Sequence, residues 1–464
     1  MRRSGRLVLA GTLALSLLLG AYTVDGWGRD AGRGASPRFI TDAQGRSLIL
    51  HGLNTQSSAK SAPDGMPTDY DEKFIDAERE LLGSNLVRFL LQWRSLEPAP
   101  GRYDEAYLDR VETWVRWYAE RGILVMLDMH QDIYGPAVNG NGAPAWATKH
   151  DGLPAPAQDP WELGYVQPGT MRAFDHFWNT TGEHPGLRDH YARAWAHVAR
   201  RFAEDPAVLG YDLMNEPWGG SLPGLPFERG PLSDLYQRTT DEIRRVDRNK
   251  WIFVEPRAVG VNWGLASGLR PIEDPVDRIG YAPHLYPLPL DLGNGYTGSN
   301  RTLIDRTLNA WRDAVTATAR RQNAPIVLGE YGLDATKPGA LDFVDAVSRV
   351  TDEMHAGRVY WSSDPGNGWS PWTADREPTE LARRLAVPYP RAVAGTPVTN
   401  AWDPKTRTLK LVYTADPKVT APTEFWLPSE GTVTGGTGTW DEETGLLTVK
   451  APATGTRTLT VTLK

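Results

Sequence analysis

Eight short β-branched or apolar runs alternate with longer segments of helical period between residues 47 and 361, and this alternation restricts the possible folds more than any other feature. The runs fall at 47–53, 85–91, 123–129, 208–214, 251–255, 279–283, 326–329 and 358–361, and the periodicity between them predicts helices over 69–82, 104–121, 187–203, 231–246, 303–321 and 340–355. The 104–121 segment illustrates the reasoning. Leu108, Val111, Val115 and Tyr118 recur at spacings of three and four, and Gly122 stands where a left-handed cap would end the helix. Between Glu255 and Ile279, Pro271 and Pro275 leave room only for a short helix. Eight βα units close a barrel, so the expected class is α/β, a (β/α)8 TIM barrel over 37–388. After Pro388, short alternating runs such as 408–413 and 458–463 lie between Gly, Pro and Asp turns, which predicts a C-terminal antiparallel β-sandwich domain over 389–464. Trp402, Trp426 and Trp440 are expected to pack that sandwich and seat it on the barrel rather than form a binding platform.

Composition removes several function classes. Lys+Arg 50 against Asp+Glu 57 gives a net charge of -7, which argues against nucleic acid as a partner. Cys 0 excludes disulfides, thiolate zinc sites and a cysteine nucleophile. At the N-terminus, Arg2, Arg3 and Arg6 precede an apolar run at 7–19, so residues 1–24 read as a signal peptide, or as an anchor if uncleaved, and 25–36 as a linker. The expected location is therefore extracellular.

In a barrel of this kind, catalytic groups stand at the C-terminal ends of strands. Few ionisable residues do. His130 follows the third strand, Asn215-Glu216-Pro217 the fourth, His284 and Tyr286 the sixth and Glu330 the seventh, while Arg88 lies in the second. Glu216 and Glu330 thus face each other across one barrel mouth, the arrangement of a retaining glycosidase, in which one carboxylate attacks and the other donates and then accepts a proton. Metal ligation is the rival use, but only His130 and Asp132 form a close His/carboxylate pair; a serine elbow of the Gly-x-Ser-x-Gly type does not occur. Glu255 ends the fifth strand and reads as a decoy, and Asp128 and Asp212 as groups that hydrogen-bond inside the barrel.

The constellation resembles glycoside hydrolase family 5, and more specifically the secreted actinobacterial endoglycoceramidases. The resemblance is carried by Asn54-Thr55, 57–67, Asp128-Met129-His130-Gln131-Asp132, 139–146, Met214-Asn215-Glu216-Pro217, 283–289, Gly329-Glu330 and 360–365. It implies Glu216 as acid/base, Glu330 as nucleophile and Asn215 on the sugar 2-hydroxyl. It also implies Arg88 and Tyr286 holding Glu330, positioning histidines at His130 and His284, and Trp361 beneath the reacting sugar. Lys60, Asp132 and Trp161 are similar to further sugar contacts. The implied substrate is a glycosphingolipid at a membrane or micelle surface, cleaved by a monomer without cofactor or metal.

Two rim loops, 222–227 and 285–292, are rich in leucine and proline and stand where a lipid leaving group would lie. Loop-core packing explains the same leucines equally simply. The alternatives to endoglycoceramidase are a family 5 endo-β-glucanase or mannanase acting on polysaccharide, and a non-catalytic carbohydrate- or lipid-binding surface protein, which the paired glutamates disfavour.

Overall fold

The computed structural model describes residues 38–464 apart from position 69; the expected leader and linker lie outside the described residues. A short strand β1 (Ser47–Leu48) precedes β2 (His51–Asn54), β3 (Leu86–Leu91), β4 (Leu124–Met129), β5 (Val208–Asp212), β6 (Trp251–Val254), β7 (Ile279–Tyr281), β8 (His284–Leu285), β9 (Val327–Tyr331) and β10 (Gly357–Tyr360). Strands β2 to β10 form one parallel sheet in the order β7-β6-β5-β4-β3-β2-β10-β9-β8. A further parallel bridge between Tyr281 and Ile326 joins its ends, so β7 and β8 together act as the sixth stave of an eight-stave TIM barrel.

Two expected strands are each split in two. The sixth breaks at Ala282-Pro283, because proline has no N–H to give the ladder. The first, expected over 47–53, divides because Ser47 and Leu48 pair antiparallel with Val393 and Ala392 of the C-terminal domain, which no local pattern announces. Conversely, Glu330 lies inside β9 rather than just past it.

The helices follow the apolar period closely. Asp104 caps the helix Glu105–Glu120 by accepting from the Tyr107 N–H, its buried face is Tyr107, Leu108, Val111, Trp114, Val115 and Tyr118, and Gly122 takes the expected left-handed φ of 67°. Differences from expectation remain: Gly298–Gln322 starts earlier, Glu72–Leu82 starts later, Ser233–Arg244 is preceded by a π turn over Glu228–Leu232 that contains Pro231, and the helix Pro168–Phe177 was not expected.

The C-terminal region consists of β11 (Tyr389–Val393), β12 (Gly395–Asp403), β13 (Thr408–Ala415), β14 (Thr423–Trp426), β15 (Gly431–Thr434), β16 (Thr437–Asp441), β17 (Leu446–Lys450) and β18 (Gly455–Leu463). They make two antiparallel sheets, β1-β11-β14-β17-β16 and β12-β13-β18-β15, with alternate residues such as Leu409, Leu411 and Tyr413 turned into the core between them. Trp426 is fully buried against the barrel: a Cβ on Gly83, whose φ is 65°, would stand 2.0 Å from the Trp426 ring. Trp402 and Trp440 are half-buried against the sandwich core, so these tryptophans pack rather than form a platform.

Candidate active site

Arg88 is the hub of the barrel mouth. It points inward from β3, fully buried, and its five N–H donors are all claimed. Nη1 donates to Glu330 Oε1 at 2.6 Å and Asn54 Oδ1 at 3.1 Å, Nε to Asp212 Oδ2 at 2.8 Å, and Nη2 to Glu255 Oε1 at 2.8 Å and Asn215 Oδ1 at 3.0 Å. Asp128 Oδ1 is a further 2.9 Å neighbour of Nη2. Asn54 Nδ2 donates to the Gly329 carbonyl at 2.9 Å, tying β2 to the strand that carries Glu330.

Glu330 receives a second donor, the Tyr286 hydroxyl, at 3.0 Å on its other oxygen. Burial works against its charge, but His284, Arg88, His130 and Lys60 outweigh it and hold the carboxyl below the ordinary glutamate range. Burial and the neighbouring Glu330 and Glu216 push the Tyr286 phenol well up, so it serves as a neutral donor.

Glu216 sits just past β5 in a left-handed conformation, φ 43°, which a non-glycine residue adopts only when its surroundings impose it. They do so here: its N–H donates to Glu255 Oε2 at 2.9 Å, and its carbonyl accepts from Gln131 Nε2 at 3.0 Å. Its carboxylate Oε1 receives Asn262 Nδ2 at 3.0 Å and lies 3.1 Å from His284 Nδ1. An oxygen of Glu216 and one of Glu330 stand within 4.8 Å of each other, and His284 Nδ1 lies near both, 3.1 Å from Glu216 and 3.7 Å from Glu330.

His284 links the acids. Its Nε2 is 3.3 Å from Glu255 and its Nδ1 3.7 Å from Glu330; burial opposes a charge on the ring, but Glu255 and Glu330 outweigh it and raise the imidazole well above its usual range. Glu216, His284 and Glu330 lie close enough to share a ligand or a proton, and an imidazole that holds its proton among carboxylates suits proton transfer. Gly329 lets the ring lie this close, since a Cβ there would come 3.1 Å from His284 Nε2.

On the other side, the Trp361 and His130 rings lie nearly parallel, with centroids 5.5 Å apart, and Lys60 Nζ stands 4.1 Å above the Trp361 ring. Lys60 pairs with Asp132 at 2.8 Å, and His130 Nδ1 with Asp128 at 2.7 Å. Burial disfavours the charge on Asp132, yet Lys60 and His130 overcome it and hold the carboxyl well below its usual range. Asn215 is locked between Arg88 and the Gln131 carbonyl, which its Nδ2 reaches at 3.0 Å.

The structure therefore brings together Lys60, Arg88, His130, Asp132, Asn215, Glu216, His284, Tyr286, Glu330 and Trp361. Trp161 stands apart: it is 48% exposed on the short turn Trp161–Val166, and its ring neighbour is Tyr165 at 6.3 Å. Glu255 stands close behind both glutamates. Set aside as a decoy for the catalytic pair, it has a supporting part that the sequence does not announce: it touches Arg88, His284 and the Glu216 N–H at once. Asn262 and Gln131 also escaped the sequence reading. Asn262 follows the short helix Ala258–Val261, in the stretch where the periodicity is weakest. Asp128 and Asp212 do hydrogen-bond inside the barrel as expected.

A parallel barrel with two glutamates facing each other at the C-terminal ends of its strands, one gripped by arginine and tyrosine and the other by asparagine and histidine, defines a glycoside hydrolase of the two-carboxylate type. The chain belongs to glycosyl hydrolase family 5, whose cellulase model matches residues 41–367; the family 5 C-terminal domain model matches 388–463. It is similar to endo-glycoceramidase II from Rhodococcus sp. solved as a ganglioside GM3 complex, with 54% identity, a TM-score of 0.89, and coverage of 92% of this chain and 100% of that one. The same Rhodococcus protein solved as a lactosyl-enzyme intermediate matches with a TM-score of 0.87. Endoglycoceramidase I from Rhodococcus hoagii is 30% identical over 383 residues, 78% of this chain and 73% of that protein.

Proposed function

We propose that the protein is a retaining endo-β-glycosidase that releases the intact oligosaccharide from the ceramide of glycosphingolipids, with Glu330 as nucleophile and Glu216 as acid/base. The observation that carries this reading is the 54% identity, over 92% of the chain, to an endo-glycoceramidase II solved with ganglioside GM3. Glu330 attacks the anomeric carbon while Glu216 gives its proton to the departing ceramide oxygen; the glycosyl-enzyme ester neutralises Glu330, and Glu216 then takes a proton from the water that hydrolyses the ester. Only water is consumed, and no cofactor enters. Asn215 meets the 2-hydroxyl, Trp361 underlies the reacting sugar, and Lys60, Asp132 and Trp161 receive the outer sugars.

For the lipid side, the rim offers Leu292, 61% exposed, with half-buried Leu225, Leu288 and Trp263. Phe227, Leu285 and Leu290 are buried in the loop cores, so the apolar lip is narrower than the sequence suggests. We assign export to the basic and apolar segment at residues 1–24, and a monomeric state; no helix among the described residues is long and apolar enough to cross a membrane. Mass analysis of products from lactosyl, ganglio, globo and gala glycolipids, run beside cello- and manno-oligosaccharides, is the test. Intact oligosaccharide plus ceramide is expected, and cleavage of the soluble oligosaccharides alone would overturn the assignment in favour of a polysaccharide enzyme.

A further inference from the structure

Arg88 is shared by more acids than one cation neutralises, and the donors around them are unequally divided. Asp128, Asp212 and Glu255 each place an oxygen within 4.8 Å of the others, all three are at most 1% exposed, and Glu330 makes a fourth claim. Glu255 has three partners: Arg88, the Glu216 N–H and His284. Asp128 faces two cationic side chains, His130 Nδ1 at 2.7 Å from Oδ2 and Arg88 Nη2 at 2.9 Å from Oδ1, although no hydrogen bond reaches that second oxygen. Asp212 faces one, Arg88, whose Nε donates to Oδ2, and its Oδ1 is likewise buried with no hydrogen-bond partner. The remaining groups facing it are the Tyr191 and Tyr236 phenols, both committed to main-chain carbonyls, at Leu213 and Glu255.

Carboxylates this close and this dry cannot all ionise, and the proton settles on the one with the fewest cationic and N–H neighbours to replace its lost hydration. We infer that Asp212 is an uncharged, protonated acid in the folded protein at neutral pH, a positioning residue whose neutrality leaves the charge of Arg88 to Glu330 and its other partners. Protonation also turns the partnerless oxygen into a donor toward the adjoining carboxylates. Burial and the neighbouring Glu255 both push this carboxyl well above its usual range, against the pull of Arg88. The consequence for catalysis rests on Glu330 being the nucleophile; the proton itself does not, so the two readings fail separately.

The full-length protein labelled with 13C at the aspartate carboxyl carbon tests it. At pH 7 the wild-type minus Asp212→Asn difference spectrum should contain a protonated-carboxyl C=O component that shifts with the label, beside any band that buried Asp291 contributes to both proteins. Stability gives an independent readout. The folded acid keeps a proton that the unfolded chain loses above about pH 3.9, so unfolding releases it and stability falls as pH rises. The unfolding constant of wild type relative to Asp212→Asn should therefore climb about tenfold per pH unit from pH 5 to 8 in denaturant titrations. A difference spectrum with no aspartate component, a component lost in Asp128→Asn but not in Asp212→Asn, or a pH-independent stability difference would overturn the inference. Should Asp212→Asn fail to fold, Asp212→Ser read in the same difference spectrum decides it by the same criteria.

Discussion

At the residue scale, the two glutamates differ in what surrounds them, and their replacements should differ accordingly. Glu330→Ala should remove turnover on every substrate. Glu216→Ala should cost roughly 10²–10⁴ in kcat/KM on glycolipids yet spare aryl glycosides whose leaving group needs no proton, and azide should rescue the two variants with products of opposite anomeric configuration. Glu255→Ala leaves Arg88 and His284 short of a buried partner and should cost about 3–5 kcal/mol of stability together with much activity. Azide should not restore it, since Glu255 holds Glu216 by its N–H and touches no reacting atom in this scheme; rescue by azide would make Glu255 a catalytic carboxylate. The depressed carboxyl of Glu330 keeps the nucleophile ionised as pH falls, so the acid limb of kcat/KM should lie below about pH 4.3 and move upward in Arg88→Lys. A limb above pH 5 in wild type would contradict the grip of Arg88 and His284. Glu216 and Glu330 were legible in the sequence because strand ends are readable from hydrophobic pattern; the supporting part of Glu255 was not, because a strand-end acid looks the same whether it faces rim or neighbouring acids.

At the element scale, the rim loops carry the lipid hypothesis. The turn Leu288–Asp291 holds Leu290 in the core, leaves Leu288 half-buried and pushes Leu292 into solvent. Leu292→Asp should raise KM for glycolipid micelles while leaving cleavage of a soluble aryl lactoside nearly unchanged. Leu225→Asp and Leu288→Asp should do the same, with roughly 1–3 kcal/mol, about 5- to 150-fold, lost in kcat/KM. Equal losses on both substrates would assign these leucines to loop cores that shape the whole site. Here periodicity was of little use. Proline-rich loops have no repeat to read, so which leucine turns inward is set by the elements beneath them.

At the scale of the whole molecule, barrel and sandwich meet over two buried histidines. The His51 ring stacks on Tyr389 with centroids 3.9 Å apart, and His355 donates from Nε2 to the Val398 carbonyl at 3.0 Å. Burial, aided by Arg358, depresses His51 well below its usual range; burial also depresses His355, against Asp352 and its hydrogen bond. The unfolded chain therefore binds more protons below about pH 6.5, and the stability these residues contribute above that pH is lost as pH falls. His51→Phe, which keeps a ring against Tyr389, should flatten the decline in Tm between pH 6.5 and 5 relative to wild type. An unchanged slope would mean that His51 is protonated in the folded state.

The sequence by itself determined the barrel, the appended sandwich and the pair of glutamates at the mouth, because hydrophobic period, turn residues and strand ends are local properties that survive without neighbours. Tertiary structure alone decided which sheet Ser47 and Leu48 join, that Pro283 divides the sixth stave, and that Arg88 gathers Asp128, Asp212, Glu255 and Glu330. Those acids lie on or just after four different strands of the barrel, and only its closure brings them within reach of one guanidinium. Their charges depend on that shared burial, where each proton is placed by the neighbours that other strands supply.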